Sequence, residues 1–293
     1  MMDRRKLLWP TLPVVIGAGV AGRVGSALTV PPNVSQEKLS DLEKRSGGRL
    51  GVAALDTATG RRIGHRADER FPMCSTFKIL AVGALLARVD HGKEHLDRLI
   101  YFTKKDLVTY SPVTEKRIET GMSLRELCDA GMRFSDNTAA NLILDAIGGP
   151  PAVTAFARSL DDTVTRLERS ETELNEAAPG DPRDTTAPAA MLSDLRKLAL
   201  GDTLSKESRA LLIDWMVRNT TGDARIRAGL PSTWKVGDKT GSGDHGTAND
   251  VAIAWPPGRA PILIAAYLTG AMEDGDQRSA IVAAAGKIVA DSL

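Results

Sequence analysis

Cys74-Ser75-Thr76-Phe77-Lys78 places a hydroxyl and an ammonium three residues apart at the start of an apolar run. On a helix that spacing puts both side chains on one face. Ser75 then lies at a helix N-terminus, where unpaired N–H groups and the macrodipole favour developing negative charge, and Lys78 can reach its hydroxyl. The chemistry this offers is nucleophilic attack with a base beside the nucleophile. The same letters also describe a helix cap followed by an ordinary lysine, so the pattern needs partners.

Three other stretches supply candidates. Ser135-Asp136-Asn137 offers a second hydroxyl and an amide from an irregular connection between helical segments. Lys239-Thr240-Gly241 follows a strand-like run, so an ammonium and a hydroxyl project at a sheet edge, and Gly241-Ser242-Gly243 lets backbone approach a ligand closely. Glu171-Thr172-Glu173-Leu174-Asn175 stands in a non-periodic stretch, 166–188, rich in charge and turn formers. Loops of that length are uncommon in compact domains unless functional. Taken singly, Ser135-Asp136-Asn137 reads as a capping turn and Lys239-Thr240-Gly241 as a solvated strand end.

The elements that must carry these residues divide by position in the chain. Ser35 caps a helix predicted to run to about Ser46, with Gly47-Gly48 as its stop. Residues 50–55 and 61–65 read as a β-hairpin, and 233–239, 250–255 and 261–269 as three further strands, with Pro256-Pro257-Gly258 as a turn. A closing helix is expected over 276–290. The middle is helical instead: 75–89 is apolar all round and predicts a buried central helix, followed by helices at 124–132, 138–147, 152–159, 188–200 and 205–218. Strands from both chain ends with helices between them predict an α/β (α+β) fold, an antiparallel sheet flanked by helices and interrupted by an all-α insertion. The expected division is 28–73 plus 218–293 for the α/β part and 74–217 for the all-α part, with the site at their interface.

Bulk properties exclude several function classes. The 293 residues can bury a large core, and 38 Lys+Arg against 37 Asp+Glu are scattered rather than blocked, which gives no reason to expect nucleic acid as a partner. The four histidines show neither H-x-H nor H-E-x-x-H spacing, so a zinc site is not expected; no cofactor is expected either. Arg4, Arg5 and Lys6 precede an apolar stretch broken by Pro10 and Pro13, then small residues near Ala27. That pattern predicts a signal peptide over 1–27, of Sec or twin-arginine type, too short and broken for a stable membrane span. Export to the periplasm or medium makes Cys74 and Cys128 disulfide-permissive.

Together, S-x-x-K, S-D-N and K-T-G in this order resemble the class A serine β-lactamases. The resemblance extends from about Leu50 to the C-terminus and includes the run from Asp106 to Pro112 and Asp184-Thr185-Thr186. It implies that Ser75 attacks a β-lactam carbonyl, with its own N–H and that of Ser242 as the oxyanion hole. Lys78 or Glu171 takes the serine proton, Ser135 relays one to the lactam nitrogen, and Glu171 with Asn175 activates the hydrolytic water. Lys239, Thr240, Gly241 and Ser242 would hold the substrate carboxylate, Asn137 the acylamide, and Tyr110 would wall the entrance. Arg169 and Asp184 would close an Ω-loop, with Asp136 as a further structural residue. A β-lactam is then the partner, and the chain a monomer.

Two departures carry expectations of their own. Where many members place an arginine after K-T-G this chain has Ala248, and Arg225 is expected to supply the charge. The cysteine partners that members use stand here as Val82 and Gly243, so both thiols are expected to be free. The rival readings are a D,D-peptidase or other penicillin-binding protein, and a β-lactam sensor that acylates once. Glu171 with Asn175 argues against the first, because a deacylating base makes the acyl-enzyme turn over; the second would need a transmembrane segment, and the sequence shows no span of about 20 apolar residues.

Overall fold

The computed structural model describes residues 34–271 and 274–293. The expected signal peptide lies outside these residues, and the described residues form one compact unit. Helix α1 (Val34–Ser46) leads into strands β1 (Arg49–Asp56), β2 (Arg62–His65) and β3 (Phe71–Pro72). A 3₁₀ turn, Cys74–Phe77, then feeds helix α2 (Lys78–Asp90). Strands β4 (Leu99–Ile100) and β5 (Met122–Ser123) precede helices α3 (Leu124–Arg133), α4 (Asn137–Ile147) and α5 (Pro150–Ser159). After a second 3₁₀ turn, Glu173–Glu176, come β6 (Thr185–Thr186), α6 (Pro188–Leu200), α7 (Lys206–Val217) and α8 (Ile226–Gly229). The chain closes with β7 (Lys235–Gly243), β8 (Thr247–Trp255), β9 (Ile262–Thr269) and α9 (Gly275–Ala290).

Five strands make the main sheet in the order β2-β1-β9-β8-β7, antiparallel at each pairing, so both chain ends contribute as expected. Strands β1, β8 and β9 are buried on both faces, which is why their sequences read as largely apolar runs. Val52 and Ala54 face one core with Leu39, Leu42, Val282 and Val289 from α1 and α9. Ala53 and Leu55, one residue out of phase, face the other core with Met191, Leu195 and the helices of the middle segment. The first nine residues of α2 are buried, so it is the central helix its composition predicts.

Two boundaries differ from expectation in ways that matter for the site. The helix expected from Ser75 begins as a 3₁₀ turn, with α-helix only from Lys78. Strands β7 and β8 each extend three or four residues beyond their predicted ends, so Lys239 to Gly243 lie inside an edge strand rather than after one. Gly241-Ser242-Gly243 looks like loop composition, yet the paired strand keeps it extended.

On α6, Asp194 is fully buried, and neither of its carboxyl oxygens nor Oδ2 of Asp162 meets a hydrogen-bond donor when both groups are ionised. Burial, with the charge of Asp162, pushes Asp194 up to about 9, so it is a neutral acid that shares its proton with Asp162.

Candidate active site

Ser75 sits on the 3₁₀ turn that begins at Cys74, whose φ of 45° is in the left-handed region. Its hydroxyl donates to Oε1 of Glu171 at 2.9 Å. The ammonium of Lys78 lies 3.0 Å from that same oxygen, and it donates to Ser135 O at 2.9 Å and to Asn137 Oδ1 at 2.7 Å. The expected direct meeting of Lys78 with Ser75 is therefore replaced by a shared carboxylate: among the described residues no hydrogen bond joins the two side chains. Desolvation lowers the Lys78 pKa against the opposing pull of Glu171.

Ser135, with φ 56°, connects the two lysines. Its hydroxyl accepts from Lys239 Nζ at 3.0 Å and from Lys78 Nζ at 3.4 Å. Lys239 is wholly buried; burial first, and then the charge of Lys78, push it down to about 7. Asp136 caps α4 through Ala139 N at 2.8 Å and accepts from Val113 N and Thr114 N at 2.9 and 3.0 Å. Asn137 donates to Thr109 O at 2.9 Å, and its backbone N–H to Tyr110 O at 3.0 Å, so the Ser-Asp-Asn turn holds the exposed Tyr110 against the cleft.

Glu171 is held from two sides. Asn175 Nδ2 donates to its Oε2 at 2.5 Å, within the 3₁₀ turn that the periodicity did not predict. Asn141 on α4 brackets its backbone, accepting from Glu171 N at 2.9 Å and donating to Glu171 O at 2.8 Å. Asn141 is absent from the residues singled out in the sequence, where it reads as one polar position on a helix. The neck of the loop is closed by Arg169 Nε, which donates to Asp184 Oδ2 at 2.6 Å. Asp184 is fully buried, and its Oδ1 also accepts from Glu168 N and Arg169 N at 2.7 and 3.0 Å. Its carbonyl accepts from Met73 N at 2.9 Å, which ties the loop to the segment entering the nucleophile turn.

The opposite wall is β7. Gly241 passes so close to the nucleophile turn that a Cβ there would stand 2.7 Å from Met73 O and 3.2 Å from Ser75 N. Thr240 Oγ1 is 2.6 Å from Thr221 Oγ1, a second cleft residue the sequence does not single out. Arg225 reaches under the strand: one terminal nitrogen donates to Gly241 O and Asn249 O at 2.8 and 2.7 Å, the other to Ser242 Oγ at 2.6 Å. Ala248, by contrast, is buried. Ser75, Tyr110, Ser135, Asn137, Asn175 and Ser242 line a cleft of about 400 Å³ with Arg225 at its cationic end. Cys74 and Cys128 are unbridged and buried, and burial raises both thiols.

A serine hydroxyl bonded to a carboxylate, in a cleft with a cationic wall fit for an acyl compound bearing an acid group, defines an active-site-serine hydrolase. A model of the β-lactamase enzyme family matches residues 35–293. β-Lactamase AST-1 of Nocardia asteroides is 51% identical over 99% of this chain and 96% of its own length. β-Lactamase OXY-2 of Klebsiella oxytoca is 48% identical over 98% of this chain and 97% of its own. Among solved structures, an ancestral (GNCA) class A β-lactamase is 64% identical and superposes with a TM-score of 0.87, covering 88% of this chain and 100% of that one. The chain belongs to the class A β-lactamase family.

Proposed function

We propose that the chain hydrolyses penicillins and cephalosporins through an acyl-enzyme on Ser75, conferring resistance to them. The single observation that carries this reading is the Glu171 carboxylate in hydrogen-bond contact with the Ser75 hydroxyl and the Lys78 ammonium at once. In acylation Ser75 Oγ bonds to the lactam carbonyl carbon and its proton passes to Glu171. The carbonyl oxygen takes the negative charge, and the N–H groups of Ser75 and Ser242 meet it, each such donor contributing about 3 to 4 kcal/mol. As the C–N bond breaks, Ser135 gives its proton to the nitrogen and regains one from Lys78, which in turn takes the proton Glu171 received, so the carboxylate is ionised again before deacylation. In deacylation a water gives a proton to Glu171 and its oxygen attacks the ester carbon; the proton returns to Ser75 as the C–O bond breaks. Lys239, Thr240 and Ser242, with the charge of Arg225 behind Ser242, hold the substrate carboxylate. Asn137 binds the acylamide, and Tyr110 flanks it.

The N-terminal segment supports export as a signal peptide cut near Ala27, and action as a monomer in the periplasm or medium is part of the same reading. The test is turnover of a chromogenic cephalosporin by wild type and Glu171→Ala, with intact-mass detection of the adduct. Rapid wild-type turnover and a trapped Glu171→Ala acyl-enzyme are the expected results. A wild type that acylates once and stays modified would overturn the reading in favour of a penicillin-binding protein or sensor.

A further inference from the structure

We infer that the groove between α2 and α5 is a second binding site, for a small amphipathic anion such as an alkyl or aryl carboxylate. It lies at the opposite end of α2 from Ser75, about 20 Å along a helix of this length. The hollow is about 480 Å³, within the range of small-molecule sites. It exists because facing positions are small: Ala84 and Ala87 on α2, Ala152 and Ala155 on α5, each pair three residues apart. Phe156 makes its apolar floor and packs onto α2 at Gly83, where a Cβ would stand 3.2 Å from the ring.

The polar part of the lining has one sign. Arg88 and Lys93 contribute cations, and no carboxylate lines the groove. The neighbouring acid, Glu94, is hydrogen-bonded to Arg98 and feels the charge of Arg88 only at longer range. Nε of Arg88 is buried without an acceptor, and the arginine's contact with Ile147 O is long, at 3.5 Å. Cations at a helix C-terminus complement the macrodipole, which accounts for their presence on α2. The dipole accounts neither for a buried N–H left unpaired nor for an apolar hollow beside it. A carboxylate with an apolar tail matches the charge and the hollow together, its oxygen against the Arg88 guanidinium that lines the groove and its tail against Phe156.

The test titrates the full-length protein with octanoate and 4-phenylbutyrate, following amide shifts and calorimetry, with octyltrimethylammonium as the charge-inverted probe. Saturable binding near about 0.1–1 mM is expected, with shifts grouped on residues 84–93 and 152–160. Arg88→Gln/Lys93→Gln should weaken octanoate at least about tenfold, the size of one charge-assisted contact. Ala155→Phe should abolish binding by filling the hollow, with cephalosporin turnover as the control for folding in both variants. Equal affinity for octyltrimethylammonium, shifts centred on Ser75, no saturable binding, or unchanged affinity in the charge variant would each overturn the proposal. Should Ala155→Phe fail to fold, the charge variant decides.

Discussion

The two walls of the cleft are built by different physics. The β7 wall is a strand whose backbone runs in register with β8 from Lys235↔Trp255 to Gly243↔Thr247, so its cations and hydroxyls are placed by a sheet ladder. The wall that presents Glu171 has no ladder: a short 3₁₀ turn, side-chain contacts from Asn141 and Asn175, and the pair of half-buried Arg169 with buried Asp184 hold it. A ladder distributes its load over many backbone bonds, whereas the loop concentrates it on a few side chains. Damage to the strand wall should therefore appear as lost substrate binding, and damage to the loop wall as lost stability and a stalled acyl-enzyme.

The largest effect on turnover should follow Asp184→Ala. It leaves two backbone N–H groups without their acceptor and takes one partner from Arg169, which keeps Glu176; each unsatisfied buried donor costs about 1–3 kcal/mol. Urea unfolding should show that loss, and intact mass should show acyl-enzyme accumulating with kcat down at least about 100-fold, the scale of general-base catalysis. Full stability with normal deacylation would erase the contrast between the walls.

Asp194→Asn should act in the opposite direction. The native Asp194 carboxyl is raised from 3.8 to about 9, so the folded state binds the extra proton. Its stabilising contribution is whole below the unfolded value and is lost as pH rises toward 9, by up to about 1.4 kcal/mol per pH unit. Asparagine keeps a donor for Asp162 and removes the titration, so the variant should gain on wild type progressively from pH 4 to 9 in thermal unfolding. Parallel pH–stability curves would refute the shared proton.

On the strand wall, Lys239 is pushed down to about 7. In the proposed function its charged form is what would hold the substrate carboxylate, so kcat/KM should fall above pH 7 by up to about tenfold per unit, while the decay rate of a preformed acyl-enzyme does not follow. A deacylation rate that falls in step would assign the titration elsewhere. The smallest effect is expected from Ser242→Ala, which removes one hydrogen bond from the rim. KM should rise about three- to tenfold, the scale of one such bond, with the urea midpoint unchanged.

The same contrast explains what was legible in the sequence. The apolar runs of β1, β8 and β9 and the all-apolar α2 announce themselves because tertiary burial and local pattern agree. The site letters Ser75, Lys78, Ser135, Glu171 and Lys239 were legible as a set, and the structure brings them within hydrogen-bonding reach of one another. The 3₁₀ form of the nucleophile turn was not legible, since both helix types share their first residues. Two-residue strands such as β3 and β6 carry no period to read. Asn141 and Thr221 escaped because their importance lies in partners 30 and 19 residues away, which no local pattern encodes.

Gly241 bears on how such a site can change over generations. The gap between the strand and the nucleophile turn is a single missing carbon wide, so this position is closed to every other residue without moving Met73 or Ser75. Its neighbour Ser242 is exposed. Selection for new substrates must therefore draw its variation from places like Ser242 and Tyr110 and leave the hinge of the chemistry untouched. The pocket's tolerance and its intolerance sit one residue apart.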